Sequence, residues 1–251
     1  MKKIKSLSTL LLAIVLFITS CKKEETAIES TKQVLGFHWH SMIGSEDASY
    51  GIQFTTNDGI KFKISDWRYY VSNFVLIKED GTEYPITDKV FLIDIANEDY
   101  SLDSVPVGNY RGFKFTVGLD SATNHKDPTL NPASSPLALQ SPSIHWSWNS
   151  GYIFMKIEGK YDSTVAQIGG ASINQPFFFH VGTDKLKQVI DYSDEPFTVE
   201  SGEDKMLHIE MDFLKILNSV DLKTENATHT GDNLPFATKI SNNWKTAFTL
   251  E

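Results

Sequence analysis

From Leu207 to Phe213 the chain alternates strictly: Leu207, Ile209, Met211 and Phe213 are apolar, and His208, Glu210 and Asp212 between them are polar. A period of two belongs to an extended strand with one buried and one wet face, and it argues against a helix over the same residues. Other short runs are rich in β-branched and aromatic residues: Val34 to His40, Ile60 to Ile64, Tyr69 to Ile77, Val90 to Ile95, Gly112 to Val117, Tyr152 to Glu158 and Phe177 to Val181. Turn chemistry lies between them, at Asn57-Asp58-Gly59, Glu79-Asp80-Gly81 and Pro106-Val107-Gly108-Asn109. Many short strands with hairpin turns predict an all-β fold, an antiparallel β-sandwich with long loops. Two segments depart from the pattern. Leu119 to Ser143 carries Pro128, Pro132, Pro136 and Pro142 and shows no period, which predicts a long loop of the kind that is often functional. Leu234 to Phe248 spaces Phe236, Ile240, Trp244 and Phe248 four apart, which predicts a short C-terminal helix.

The first twenty residues stand outside this scheme. Lys2, Lys3 and Lys5 precede an apolar run from Leu10 to Ile18, too short for a transmembrane helix and suited to an export signal. Ile18-Thr19-Ser20-Cys21 resembles a lipobox, so residues 1–20 are expected to be removed and Cys21 to become the lipidated N-terminus. Several acyl chains on that residue would anchor the protein to a membrane. Cys21 is the only cysteine, so no intramolecular disulfide is possible. Residues 21–32 read as a polar tether and 33–251 as a single β domain. With 23 basic and 32 acidic residues, and Lys2, Lys3 and Lys5 lost on cleavage, the chain is acidic and unsuited to a phosphate backbone. No nucleic-acid partner is expected.

The motifs of common catalytic sites are missing from the sequence: it has no Gly-x-Ser-x-Gly elbow, P-loop, dinucleotide fingerprint or His-Glu-x-x-His. Histidine is the informative residue type. His38 and His40 in Phe37-His38-Trp39-His40 point to the same face of a strand, about 6.6 Å apart along it, within reach of one metal ion. The same pattern also fits a plain polar face. His180 follows Phe177-Phe178-Phe179 and must be hydrogen-bonded, ligated or at the edge of the core. In His145-Trp146-Ser147-Trp148, strand alternation would set the two indoles on one face and His145 on the other. His125, His208 and His229 read as solvent-accessible.

Several stretches together carry a resemblance: "YGIQFTTNDGIKFKISDWRYYVSNFVLIKEDG", "VPVGNYRGFKFTVGLD", "HWSWNSGYIFMKIEG", "PFFFHVG" and "THTGDNLPFATKISNNW". In this order they resemble the MbnP-like copper-binding proteins, over about Val34 to Glu251. The most distinctive elements are Arg68-Tyr69-Tyr70-Val71-Ser72-Asn73 and Trp146-x-Trp148-x-x-Gly151-Tyr152. The resemblance implies a β-rich fold and a mononuclear copper site built from histidines. In that family a tryptophan is oxidised to kynurenine by a diheme enzyme of the cytochrome c peroxidase type and becomes a ligand. Ring opening frees an aniline-type nitrogen with a lone pair that the indole N–H does not offer. Carried over by motif, the implied residues are His180, His40 and His38, with Trp146 or Trp148 as the oxidised ligand. Where relatives have a Gly-Met pair, this chain has Ser143-Ile144-His145, which makes His145 a local substitute. Lys22-Lys23-Glu24-Glu25 resembles the surface-export signal of Bacteroidota lipoproteins.

The expected function is therefore that of a lipid-anchored, non-catalytic copper-binding protein of the outer membrane, on its surface or periplasmic face, for copper acquisition, storage or delivery. The alternative from another class is a surface glycan-binding β-sandwich with Trp146 and Trp148 as a stacking platform. The two differ in geometry: copper needs converging histidines, a glycan needs an open aromatic face.

Overall fold

A computed structural model describes residues 32–146, 151–164 and 172–251. The export segment, Cys21 and Trp148 lie outside the described residues. Along the chain the first eight strands are β1 (Lys32–Ile43), β2 (Glu46–Asp47), β3 (Phe54–Thr55), β4 (Lys61–Lys78), β5 (Glu83–Pro85), β6 (Val90–Asp94), β7 (Asp99–Pro106) and β8 (Gly108–Val117). After a short helix α1 (Ser121–Asn124) come β9 (Met155–Asp162), β10 (Ile173–Val181), β11 (Gln188–Tyr192), β12 (Phe197–Val199) and β13 (Lys205–Asp212). Helix α2 (Phe213–Ile216), β14 (Ala227–Thr228), helix α3 (Leu234–Ala247) and β15 (Phe248–Leu250) complete the domain.

The strands form two sheets. The smaller runs β15-β13-β1-β2, with β7 also paired to β1, and the larger runs β11-β8-β4-β9-β10-β14. Strands β3, β5 and β6 pair with β4, and β12 pairs with β8. Most pairings are antiparallel, as expected, but β1–β13 and β10–β14 are parallel. The expected strands at Ile60 to Ile64 and Tyr69 to Ile77 are one continuous element, β4, because Asp66 and Arg68 between them are neutralised as a bidentate ion pair.

The sheets face each other through aromatic side chains. On β1, Phe37 packs on Phe74 and Phe113, and Trp39 packs on Tyr69 and Phe115 of the larger sheet. On the larger sheet, Trp67, Ile157 and Phe179 are successive cross-strand partners and are fully buried. Burial of each such side chain contributes about 1.5–3 kcal/mol. Opposed residues in a ladder share a face. Arg68, Lys156 and His180, each one position on, therefore line the outer face of the larger sheet. By the same alternation His38 and His40 line the outer face of the smaller one.

Gly159 lets this packing close. A Cβ there would stand 2.2 Å from the Lys63 carbonyl and 2.5 Å from the Phe177 ring. The C-terminal helix forms as expected, with Asn233 capping its start and Phe236, Ile240 and Trp244 buried. It ends one residue early: Phe248 turns extended and begins β15, where it stays in the core.

The long segment after β8 contains α1 and a 3-10 turn at Pro128–Leu130, and it is tied to the sheet by side chains. The hydroxyls of Tyr70 and Tyr152 donate to the carbonyls of Pro136 and Leu137. Buried Asn124 accepts from the Tyr152 amide at 2.8 Å and donates to Asp184 at 2.8 Å.

The facing of β10 gives a direct test. Phe179→Ala should cost about 3–5 kcal/mol in urea unfolding, the range for a deleted core phenylalanine. Phe178→Ala, on the half-exposed face, should cost well under half of that. Equal losses would show that the strand is turned differently.

Candidate metal centre

The histidines named from the sequence fall into two groups, on opposite outer faces. Sheets packed face to face stand about 10 Å apart, so one ion cannot be shared by His180 and the His38–His40 pair. The expected convergence of His40 with His180 does not occur. The reason is the pleat: Phe37, Trp39, Phe177 and Phe179 take the core, and each sheet turns its histidines outward.

On the larger sheet, His180 is joined by a residue that the sequence reading set aside. Strand β14 runs parallel to β10 with Phe179 opposite Thr228, so the next residues, His180 and His229, come side by side. Their ring centroids are 4.9 Å apart. Thr230 locks the arrangement, because its hydroxyl donates to the His180 carbonyl at 2.8 Å and accepts from the Gly182 amide at 3.0 Å.

Each of these rings has one nitrogen committed to a carboxylate. His180 Nε2 lies 2.8 Å from Glu158 Oε1, and His229 Nδ1 lies 3.0 Å from Asp232 Oδ2. A carboxylate only accepts, so those nitrogens carry the protons, and in the neutral rings the acceptor nitrogens are His180 Nδ1 and His229 Nε2. This is the bracing found behind metal-ligating imidazoles. The hydrogen bond from His180, against the opposing effect of burial and with help from Lys156, holds the Glu158 carboxyl at about 2. Lys156 links Glu158 at 3.1 Å to Asp66 at 2.9 Å, and Asp66 also holds Arg68. A line of alternating charges thus runs across three strands and ends at His180.

Trp146 stands beside this pair, its ring centroid 6.3 Å from that of His180. It is only 7% exposed, so it does not offer the open stacking face that the glycan alternative asked of it. His145 is bridged to Tyr152 at an isolated ladder position and is not part of a regular strand. Its Nδ1 lies 2.8 Å from the Trp146 carbonyl and its Nε2 accepts from the Gly151 amide at 3.4 Å. Both nitrogens therefore hold backbone, one at Trp146 and one at Gly151. A cavity of about 500 Å³ opens between Trp146, His229, Asn124 and Asp184, and a second of about 480 Å³ is lined by Glu158, His180 and His229. His125, on the rim of the first, is within 3.3 Å of Asp184.

On the smaller sheet, His38 Nε2 and His40 Nε2 approach to 2.7 Å, and Glu98 Oε2 lies 3.7 Å from His38 Nε2. His38, His40 and Glu98 form a group able to hold a metal ion. His208, expected to be an unremarkable surface residue, stands opposite His38 with ring centroids 5.0 Å apart.

The fold and these two groups define a two-sheet β domain that displays carboxylate-braced histidines on its outer faces. The family profile of MbnP matches residues 32–232, and the chain belongs to the MbnP family. Among solved structures, MbnP from Methylosinus trichosporium shares the fold, with a TM-score of 0.56 and 18% sequence identity over 76% of this chain and 80% of that one. No curated protein matches.

The tautomers are checkable without metal. Long-range 1H–15N spectra near neutral pH should show His180 protonated at Nε2 and His229 at Nδ1. Glu158→Ala should release the first preference and Asp232→Ala the second. An unchanged His180 pattern in Glu158→Ala would show that the carboxylate does not set the ring.

Proposed function

We propose that this protein binds copper as cargo on the outer face of its larger sheet, through His180 and His229 beside Trp146. The observation that carries this reading is the pairing of two imidazoles, each braced by its own carboxylate, in a protein of the MbnP family. Imidazole nitrogen suits copper, and first-row affinities at such donors peak at copper. The donor chemistry fits the cargo: in the neutral rings His180 Nδ1 and His229 Nε2 are the acceptor nitrogens, and Glu158 and Asp232 orient the rings. The protein has no turnover of its own and acts in acquisition, storage or delivery.

The setting follows from the ends of the chain. Lipidation of Cys21 after removal of residues 1–20 anchors the protein in the outer membrane, facing the surface or the periplasm. Among the described residues no helix is long and apolar enough to cross a membrane. Oxidation of Trp146 or Trp148 to kynurenine, by a partner of the diheme cytochrome c peroxidase type, adds a nitrogen ligand to the histidine pair.

Copper content and intact mass, measured on one sample purified from the native host without chelator, test this directly. Bound copper is expected, with a mass showing one carbon lost and one oxygen gained if the indole has been opened. His180→Ala and His229→Ala should each lower copper affinity at least 10-fold. Full copper affinity in both variants would reject the site, and a copper-free protein that takes up none when copper is added would reject the function.

A further inference from the structure

The His38–His40 pair lies on the other side of the core from the proposed copper site, and its surroundings are those of a second, independent centre. Parallel pairing of β1 with β13 sets His208 beside His38 and Glu210 beside His40. Antiparallel pairing with β7 sets Asp99 opposite His38, with Glu98 at the same strand end. Just after the last strand, Glu251 Oε2 approaches His40 Nδ1 at 3.7 Å. Three imidazoles are thus surrounded by four carboxylates on one half-exposed patch, an arrangement that attracts a cation and offers it nitrogen first.

The hydrogen bonds orient the donors. His38 Nδ1 lies 2.6 Å from Asp99 Oδ1, so Nδ1 carries a proton and, in the neutral ring, Nε2 keeps the lone pair. The 2.7 Å contact between the two Nε2 atoms is then a hydrogen bond from His40 to His38. Both atoms already point into one space, together with Glu98 Oε2. An ion bound at about 2.0–2.1 Å to each nitrogen holds tetrahedral ligands about 3.3 Å apart. Metal entry requires the His40 proton to move from Nε2 to Nδ1, which faces Glu251, and the two rings to part by about 0.6 Å, a small side-chain rotation at a half-exposed surface. Asp99 plays the part of the carboxylate that fixes the tautomer of a ligating histidine.

We infer that His38, His40 and Glu98 form a second metal site, oriented by Asp99, for a divalent first-row transition ion. Two imidazoles and one carboxylate make a donor set that suits zinc and copper(II), with the fourth position left to water or to His208. The site is separate from the proposed copper cargo site and does not depend on it.

Zinc(II) alone is the probe, titrated calorimetrically into the full-length protein and three variants whose folding is checked by circular dichroism. His180→Ala/His229→Ala should keep a zinc equivalent that His38→Ala/His40→Ala loses. Asp99→Asn, which leaves all three ligands in place, should weaken zinc binding about 10–100-fold. Undiminished zinc binding in His38→Ala/His40→Ala would overturn the site, as would zinc binding abolished by His180→Ala/His229→Ala. Unchanged affinity in Asp99→Asn would overturn the role given to Asp99. Copper binding lost only in the His180/His229 variant, with no zinc bound at His38 and His40, would leave the proposed function standing and reject this second site.

Discussion

The aromatic interlock between the sheets decides where every functional group of this domain can stand. Phe37 and Trp39 press on Phe74, Phe113 and Phe115, and Phe179 and Trp67 fill the same interior. Since a strand turns alternate residues to opposite sides, this commitment forces His38, His40 and His180 outward. The polar chemistry is displaced to the two outer surfaces, where imidazoles meet carboxylates in place of hydrocarbon. One packing constraint thereby yields two histidine groups, and it also keeps them apart.

Within each group the carboxylates matter as much as the rings. Glu158, Asp232 and Asp99 each accept a hydrogen bond from one imidazole N–H, which fixes the ring orientation of His180, His229 and His38. The groups differ in their support. His180 ends a charged line through Glu158, Lys156, Asp66 and Arg68, most of it buried, and a buried line of this kind resists rearrangement because breaking one pair strands another charge. His38 and His40 lean on exposed acids at strand ends, whose side chains move at little cost. The first group is preorganised, and the second is free to adjust to an ion.

The surroundings of Trp146 show how a long connection is made definite. Asn124 binds the backbone at Tyr152 and the carboxylate of Asp184, and His145 binds the backbone at Trp146 and Gly151 with its two ring nitrogens. Gly151, at φ 145°, takes a backbone conformation that a side chain would strain, with Asn124 only 3.2 Å from where a Cβ would be. His145, which the resemblance offers as a substitute ligand, thus binds backbone at Trp146 and Gly151.

Much of this was legible in the chain itself, and the reason is local. Runs of β-branched and aromatic residues marked β1 and β10, alternation marked β13, the spacing of Phe236, Ile240 and Trp244 marked α3, and the proline-rich stretch after Leu119 marked the long connection. All of these are consequences of side-chain period and turn chemistry within a few residues. His38 and His40 could be paired for the same reason, being two apart on one strand. His229 could not be matched to His180 from sequence, because a parallel bridge between β10 and β14 joins residues 49 positions apart and no local rule specifies its register. Nor could period alone show that His40 and His180 lie on opposite sides of the core. Sequence by itself determined which residues face inward along each strand; only the tertiary structure decided which outward-facing histidines meet, because that depends on how distant strands pair and on which sheet each one joins.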